Sequence, residues 1–280
     1  PFTNSPLRNL RAGRKAEKAM TGVFASQQIE AMIERGEIRS DTPMPDGQVQ
    51  PASLDLRLGT VAYRVRASFL AGTGRSVSDR LTEFEMHRID LRDGAVLEKG
   101  CVYLVPLMEA LGLPQGVSAV ANAKSSTGRL DLLTRTITDG GTEFDRISEG
   151  YSGPLYAEIC PRSFSVLVRP GMRLNQIRFR QGQAVLTDAE LASLHAQTPL
   201  VDGDAVIEQG LGFSVDLALP GSDLVGYRAK PHTGVIDLDR IGQYDPAEYW
   251  EEVRSTRGQI ILDPGAFYIL VSREAVHIPP

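Results

Sequence analysis

The chain has 280 residues, a net charge of -5, and ordinary hydrophobic (42%) and charged (23%) fractions. A chain of this length buries enough surface to need neither disulfides nor structural metals. The acidic balance provides no global field to draw in nucleic acid, and no apolar run reaches the ~18 residues of a membrane span, so neither partner is expected.

Residues 1–20 are polar and basic (Arg8, Arg11, Arg14, Lys15, Lys18) and lack an apolar core, so a solvated tail and no signal peptide are expected. A helix is predicted over residues 26–35, with Ser26 as N-cap, Ile29, Met32 and Ile33 on one face, and Gly36 as the stop. Residues 53–58 alternate with period two, as a half-buried strand should. Residues 102–107 form a continuous apolar run that predicts a fully buried strand, and 153–159, 165–168 and 174–179 read as further strands. Asp188–Gln197 reads as a helix. This balance predicts a mainly β fold, a sandwich or barrel.

An internal repeat crosses this pattern. Residues 95–105 resemble 260–270, with Glu98, Gly100 and Tyr103 recurring as Asp263, Gly265 and Tyr268, and the register continues to Pro114 and Pro279. Upstream, 52–56 resembles 213–217 and 89–91 resembles 236–238. The matches imply a first domain over 21–200 and a second, incomplete copy over 205–280; convergence on a common strand-turn grammar is the alternative. The first copy continues past the point matching Pro280, so a longer natural product is expected. Cys101 and Cys160, the only cysteines, are isolated in sequence. They predict small core residues in a reducing compartment, hence the cytoplasm.

Two stretches concentrate chemistry. Residues 124–129 place Lys124, Ser125, Ser126, Thr127, Gly128 and Arg129 together. Cations, hydroxyls, a close-approach glycine and a fork-shaped guanidinium are what a phosphate site needs. The spacing is not that of a Walker A loop, and a solvated polar turn is the alternative. In residues 143–159, Gly150 and Gly153 bracket a turn, and Glu158 follows among Leu155, Tyr156, Ala157, Ile159 and Cys160. A buried carboxylate there would need a partner or a function, and burial would raise its pKa toward proton transfer. The alternative is the solvent face of an edge strand. The paired cysteine and His-x-Glu elements of zinc deaminases are missing, and His87, His195, His232 and His277 lie far apart.

At this point a family resemblance emerges. Residues 50–59 resemble the QPASxDLRLG element of the dCTP deaminase family, and 124–130 its RSSxxRLG phosphate element. Residues 146–158 resemble its HRIDPGWxG…LE element, with Tyr151 at the aromatic position, and 169–172 its LRPGM turn. The long, duplicated layout resembles a bacterial subgroup of that family.

The resemblance implies a dUTPase-like β-barrel or jelly roll and hydrolytic, zinc-independent deamination of dCTP to dUTP. Glu158 would activate water and Arg129 would place that water and stabilise the intermediate. Ser125, Ser126 and Lys124 would bind the triphosphate, with Asp145, Arg146 and Tyr151 around the nucleotide. Mg2+ would arrive through the triphosphate, and sites would form between barrels of a homo-oligomer. Asp145 stands where the family usually has His, Ser148 and Glu149 replace Asp-Pro, and the closing KYQGQ-type segment has no clear match. Two rival readings follow: dUTP diphosphate hydrolysis, alone or after deamination, and a non-catalytic nucleotide-binding barrel.

Overall fold

The computed structural model describes residues 21–183, 185–218 and 221–279. The basic segment 1–20 lies outside them.

Two six-stranded sheets form the first unit. The first runs Arg146–Ile147, Val117–Ala123, Arg173–Gln181, Ser53–Arg57, Val49–Gln50, with Gly22–Val23 also paired to Arg173–Gln181. The second runs Leu132–Thr138, Ser152–Pro161, Val102–Gly112, Val61–Val65, Glu85–Asp90, with Ile38–Ser40 also on Val102–Gly112. Their facing rows form the core: Leu54, Leu56, Ala119, Ala121, Ile177 and Phe179 against Tyr103, Val105, Leu155, Ala157 and Ile159. This is the expected mainly β architecture, with antiparallel pairing throughout both sheets.

The first helix is Ser26–Glu34, but Ala25, not Ser26, occupies the N-cap position. The helix start is instead closed by Gln28, whose side-chain oxygen accepts from the Ala25 N–H at 2.8 Å. Asp188–Gln197 forms as predicted, behind a Thr187 cap: the Thr187 hydroxyl accepts from the Glu190 N–H at 3.3 Å and Glu190 returns a bond to the Thr187 N–H at 2.8 Å.

The strand at Ser53–Arg57 differs from expectation. All five residues are buried, not one face alone. Its apolar row faces the core, while Ser53, Asp55 and Arg57 are covered by polar partners. The Ser53 hydroxyl donates to Gln176 Oε1 at 3.1 Å, and Arg57 Nε donates to Glu109 Oε1 at 2.7 Å. Asp55 takes the Lys124 ammonium.

A helix the periodicity did not suggest, Val77–Phe84, lies in the excursion between Val61–Val65 and Glu85–Asp90. Val77 and Leu81 join Val65, Phe69, Ala71, Leu104 and Ile137 in a second apolar cluster. Leu104 faces away from the main core, so this cluster covers the outer face of the second sheet.

The second unit docks through a three-stranded sheet in which Val166–Val168 pairs antiparallel with Ala95–Leu97 and parallel with Ile236–Asp237. Arg169 grips Asp237 at 2.7 and 3.0 Å and Asp239 at 2.8 Å. Phe164 meets Tyr249 and Trp250 edge-on, with centroids 5.9 and 5.3 Å apart. A separate sheet orders Trp250–Arg254, Leu224–Ala229, Tyr268–Leu270. One turn of the sequence repeat recurs in detail. The Tyr103 hydroxyl accepts from the Glu98 N–H at 3.0 Å, and the Tyr268 hydroxyl accepts from the Asp263 N–H at 3.0 Å. By contrast, 213–217 forms no strand and keeps one bridge, Val215 to Ser272.

Candidate active site

The phosphate-like stretch becomes a short helical turn, Ser125–Gly128, directly after the Val117–Ala123 strand. Gly128 and Arg129 N–H groups close it by donating to the Lys124 and Ser125 carbonyls at 2.9 and 3.0 Å. The Ser125, Ser126 and Arg129 side chains are left at the exposed surface, while Thr127 is buried. The Lys124 ammonium is not free: it turns inward to Asp55, with Arg173 3.8 Å from the same oxygen. The second Asp55 oxygen is buried without a partner. Lys124 and Ser126 line a cavity of about 900 Å3, whose far wall comes from residues 236–242 of the second unit.

Glu158 sits elsewhere. It is 3% exposed, on a strand flanked on both sides, so the edge-strand alternative does not hold. Its alternating neighbours Ala157 and Ile159 face the core. Glu158 therefore points to the outer face of the second sheet, beneath the 66–84 excursion. Its surroundings are not purely apolar, as its sequence neighbours imply, because Arg135 lies directly opposite in the ladder. Arg135 donates to Glu158 Oε1 from Nε at 3.1 Å and from Nη2. A charged carboxylate at this depth requires such a partner.

Asp145 lies close to this pair. Its carboxylate accepts from the Thr136 N–H at 2.7 Å, and its backbone takes a left-handed φ of 62°. Burial pushes its carboxyl pKa up, with the nearby Arg135 guanidinium acting in the opposite sense. Arg146 is on the surface, paired with Glu143 at 3.1 Å, and the two line a cavity of about 300 Å3 with Glu149 and Arg180. Glu149 accepts from the Gly116 N–H. The Tyr151 hydroxyl donates to the Pro154 carbonyl at 2.6 Å and accepts from the Asp139 N–H at 3.2 Å, and burial raises its pKa. Its hydroxyl thus ties its own turn to the end of the Leu132–Thr138 strand, which Gly153 permits: a Cβ there would meet the hydroxyl at 2.7 Å.

Within one chain these residues fall into three neighbourhoods. Lys124 and Ser126 share the larger cavity, Glu158 and Asp145 gather around Arg135, and Arg146 lines the smaller cavity. Arg135 is the residue that motif reading missed; its signal is the cross-strand position opposite Glu158, which requires knowing the register. Among the described residues no group of three or more His, Cys, Asp or Glu is disposed to hold a metal, and no helix is long and apolar enough to cross a membrane.

Comparison with known proteins gives the same direction over almost the whole chain. Residues 20–183 match the N-terminal domain of 2'-deoxycytidine 5'-triphosphate deaminase, and 187–280 match its C-terminal domain. A "dCTP deaminase, dUMP-forming" of Methanoculleus marisnigri is 35% identical over 161 residues, 56% of this chain and 79% of the relative. One of Beutenbergia cavernae, with the same description, is 29% identical over 56% of this chain and 78% of its own. The crystal structure of 2'-deoxycytidine 5'-triphosphate deaminase from Agrobacterium tumefaciens superposes with a TM-score of 0.89 at 52% identity, over 93% of this chain and 79% of that one. With both domain models matched and the fold shared, the chain belongs to the dCTP deaminase family.

Proposed function

We propose that this protein hydrolyses the C4 amino group of dCTP, with Glu158 as the group that activates water. The observation that supports it is a carboxylate on an inner strand, held through one oxygen and buried to 3% exposure. Glu158 takes a proton from the attacking water, a tetrahedral carbon forms at C4, and the proton passes to the departing nitrogen, giving dUTP and ammonia. The exposed Ser125 and Ser126 hydroxyls and the Arg129 guanidinium suit phosphate and intermediate binding. Lys124 joins them only by sharing its charge with Asp55. Asp145, Arg146 and Tyr151 complete the nucleotide's surroundings, Asp145 and Tyr151 as supports of the wall.

The separation of the three neighbourhoods in one chain favours sites completed between copies in a homo-oligomer. Mg2+ enters on the triphosphate, and the reaction requires no zinc, since the zinc-deaminase elements are missing from the sequence. Two free thiols, Cys101 and Cys160, support a cytoplasmic setting. A second reading has diphosphate released as well, leaving dUMP; the descriptions of the sequence relatives favour it.

One assay addresses all of this. The protein is incubated with dCTP and Mg2+, and ammonia and diphosphate are measured. Ammonia alone supports dUTP as product, and both products support the dUMP-forming reading. Removing Mg2+ should abolish turnover, while a zinc-selective chelator should leave it intact. Glu158→Gln should lower turnover by ~10⁴-fold with dCTP binding and thermal midpoint retained. Near-native turnover in that variant would refute the role of Glu158.

A further inference from the structure

Arg135 is held by several partners. It stands opposite Glu158 in the ladder between Leu132–Thr138 and Ser152–Pro161, so both side chains share the outer face of the sheet. Nε and Nη2 both donate to Glu158 Oε1, and Nη2 also reaches the Ser68 hydroxyl at 3.1 Å. The guanidinium lies over the Phe144 ring, 3.7 Å from its centroid. Three separate pieces of chain therefore fix one planar group: the facing strand, the 66–84 excursion, and the loop that precedes Arg146.

The arrangement is asymmetric at the carboxylate. Both Arg135 donors converge on Oε1, and no donor among the described residues reaches Oε2. A carboxylate that must take a proton from water and return it to nitrogen needs one oxygen held and one oxygen offered. An unheld carboxylate rotates about its last torsion and presents either oxygen, in any plane.

We propose that Arg135 is a positioning residue for the deamination: it fixes the plane of Glu158 by gripping Oε1, so that Oε2 faces the reacting water. This rests on the reading of Glu158 given above. Lysine cannot replace it. An ammonium is a point charge with no fork to hold a plane and no flat face to lie on Phe144.

The test is steady-state kinetics on Arg135→Lys, Arg135→Ala and Phe144→Leu, beside Glu158→Gln and the native protein, with thermal midpoints for all. Misplacing a reacting group by about 1 Å costs ~10²-fold in turnover. Arg135→Lys and Arg135→Ala should therefore lose ~10²-fold in kcat while KM for dCTP stays within about threefold. Added guanidinium should restore part of the kcat of Arg135→Ala, since the slot on Phe144 remains, and should not help Arg135→Lys. Phe144→Leu keeps the apolar volume and the ion pair but removes the aromatic face, so its kcat should fall by up to about tenfold at unchanged KM.

A purely structural ion pair gives a different pattern: a lowered midpoint, with kcat of the folded fraction unchanged and no response to guanidinium. That result, with Glu158→Gln inactive, overturns the proposal and leaves Glu158 as the water-activating group. Should Arg135→Ala fail to fold, Arg135→Lys and Phe144→Leu decide the matter by the same split between kcat and KM. Native-level turnover in Glu158→Gln removes the reading of Glu158 and the proposal with it.

Discussion

Asp145 shows how one position carries backbone and charge at once. Its φ of 62° lies in the left-handed region, where Asn and Asp are the best tolerated residues after glycine. Its carboxylate also accepts the Thr136 N–H. Asparagine keeps both features and removes a charge that burial opposes, so Asp145→Asn should hold or raise the thermal midpoint at neutral pH. Alanine loses the hydrogen bond and dislikes the φ, so Asp145→Ala should cost ~1–3 kcal/mol in denaturant unfolding. The sign of the pH dependence follows from the raised pKa. The folded state holds the proton more tightly, so this contribution is complete below the ordinary carboxylate pKa and is lost as pH rises through the raised value. The native protein should therefore lose stability relative to Asp145→Asn as pH climbs across that window; a constant difference would contradict it. The sequence shows Asp145 as a departure from the family pattern, but not the left-handed turn that makes Asp suitable.

At the scale of elements, the strand Ser53–Arg57 explains why pattern reading stops where it does. The period of two is real, and the apolar row is where it should be. What the pattern cannot show is that the polar row is buried too, because its partners, Glu109, Lys124 and Gln176, are distant in sequence. Arg57 and Glu109 are a buried pair, with side chains 6% and 0% exposed. Glu109→Ala leaves the guanidinium uncompensated and should cost ~3–5 kcal/mol by chemical denaturation. Replacing both partners at once, Arg57→Met with Glu109→Leu, should cost far less, since the cost is that of an orphaned charge. The helix Val77–Phe84 was legible in another way. Ser76 and Asp79 stand at capping-box spacing, with the Ser76 hydroxyl accepting from the Asp79 N–H at 3.0 Å, but two buried residues, Val77 and Leu81, give too little periodicity to announce it. This helix packs on the same outer face of the second sheet to which Glu158 points, and that face reads as solvent when the helix is not foreseen.

For the whole molecule, the sequence repeat implies a second unit but not how residues 205–280 pack on the rest of the chain. The docking depends on an aromatic contact and an arginine grip that no repeat implies: Phe164 against Tyr249 and Trp250, and Arg169 on Asp237 and Asp239. Phe164 is 1% exposed, and its truncation to alanine should cost ~3–5 kcal/mol. Trp250 is the single tryptophan and touches both Phe164 and Phe267, so its fluorescence reports the surroundings of this contact. In Phe164→Ala the fluorescence transition should move to lower denaturant than the far-ultraviolet dichroism transition; coincident curves would show that the two units unfold together without Phe164. The wall that 236–242 lends to the Lys124 and Ser126 cavity ties this docking to the candidate phosphate site.

The pairing of Arg135 with Glu158 also bears on how relatives of this protein can diverge. A strand turns its side chains alternately to opposite faces, so one added residue in either strand would swing an arginine or a glutamate into the packed interior. The connection from Asp139 to Glu143 lies outside that ladder and sets no such alternation. Lineages can therefore lengthen or shorten the chain between Asp139 and Glu143, while the interval from Leu132 to Arg135 stays fixed. A tally of gap positions in aligned relatives would read this directly: gaps should gather in the connection and spare the two strands.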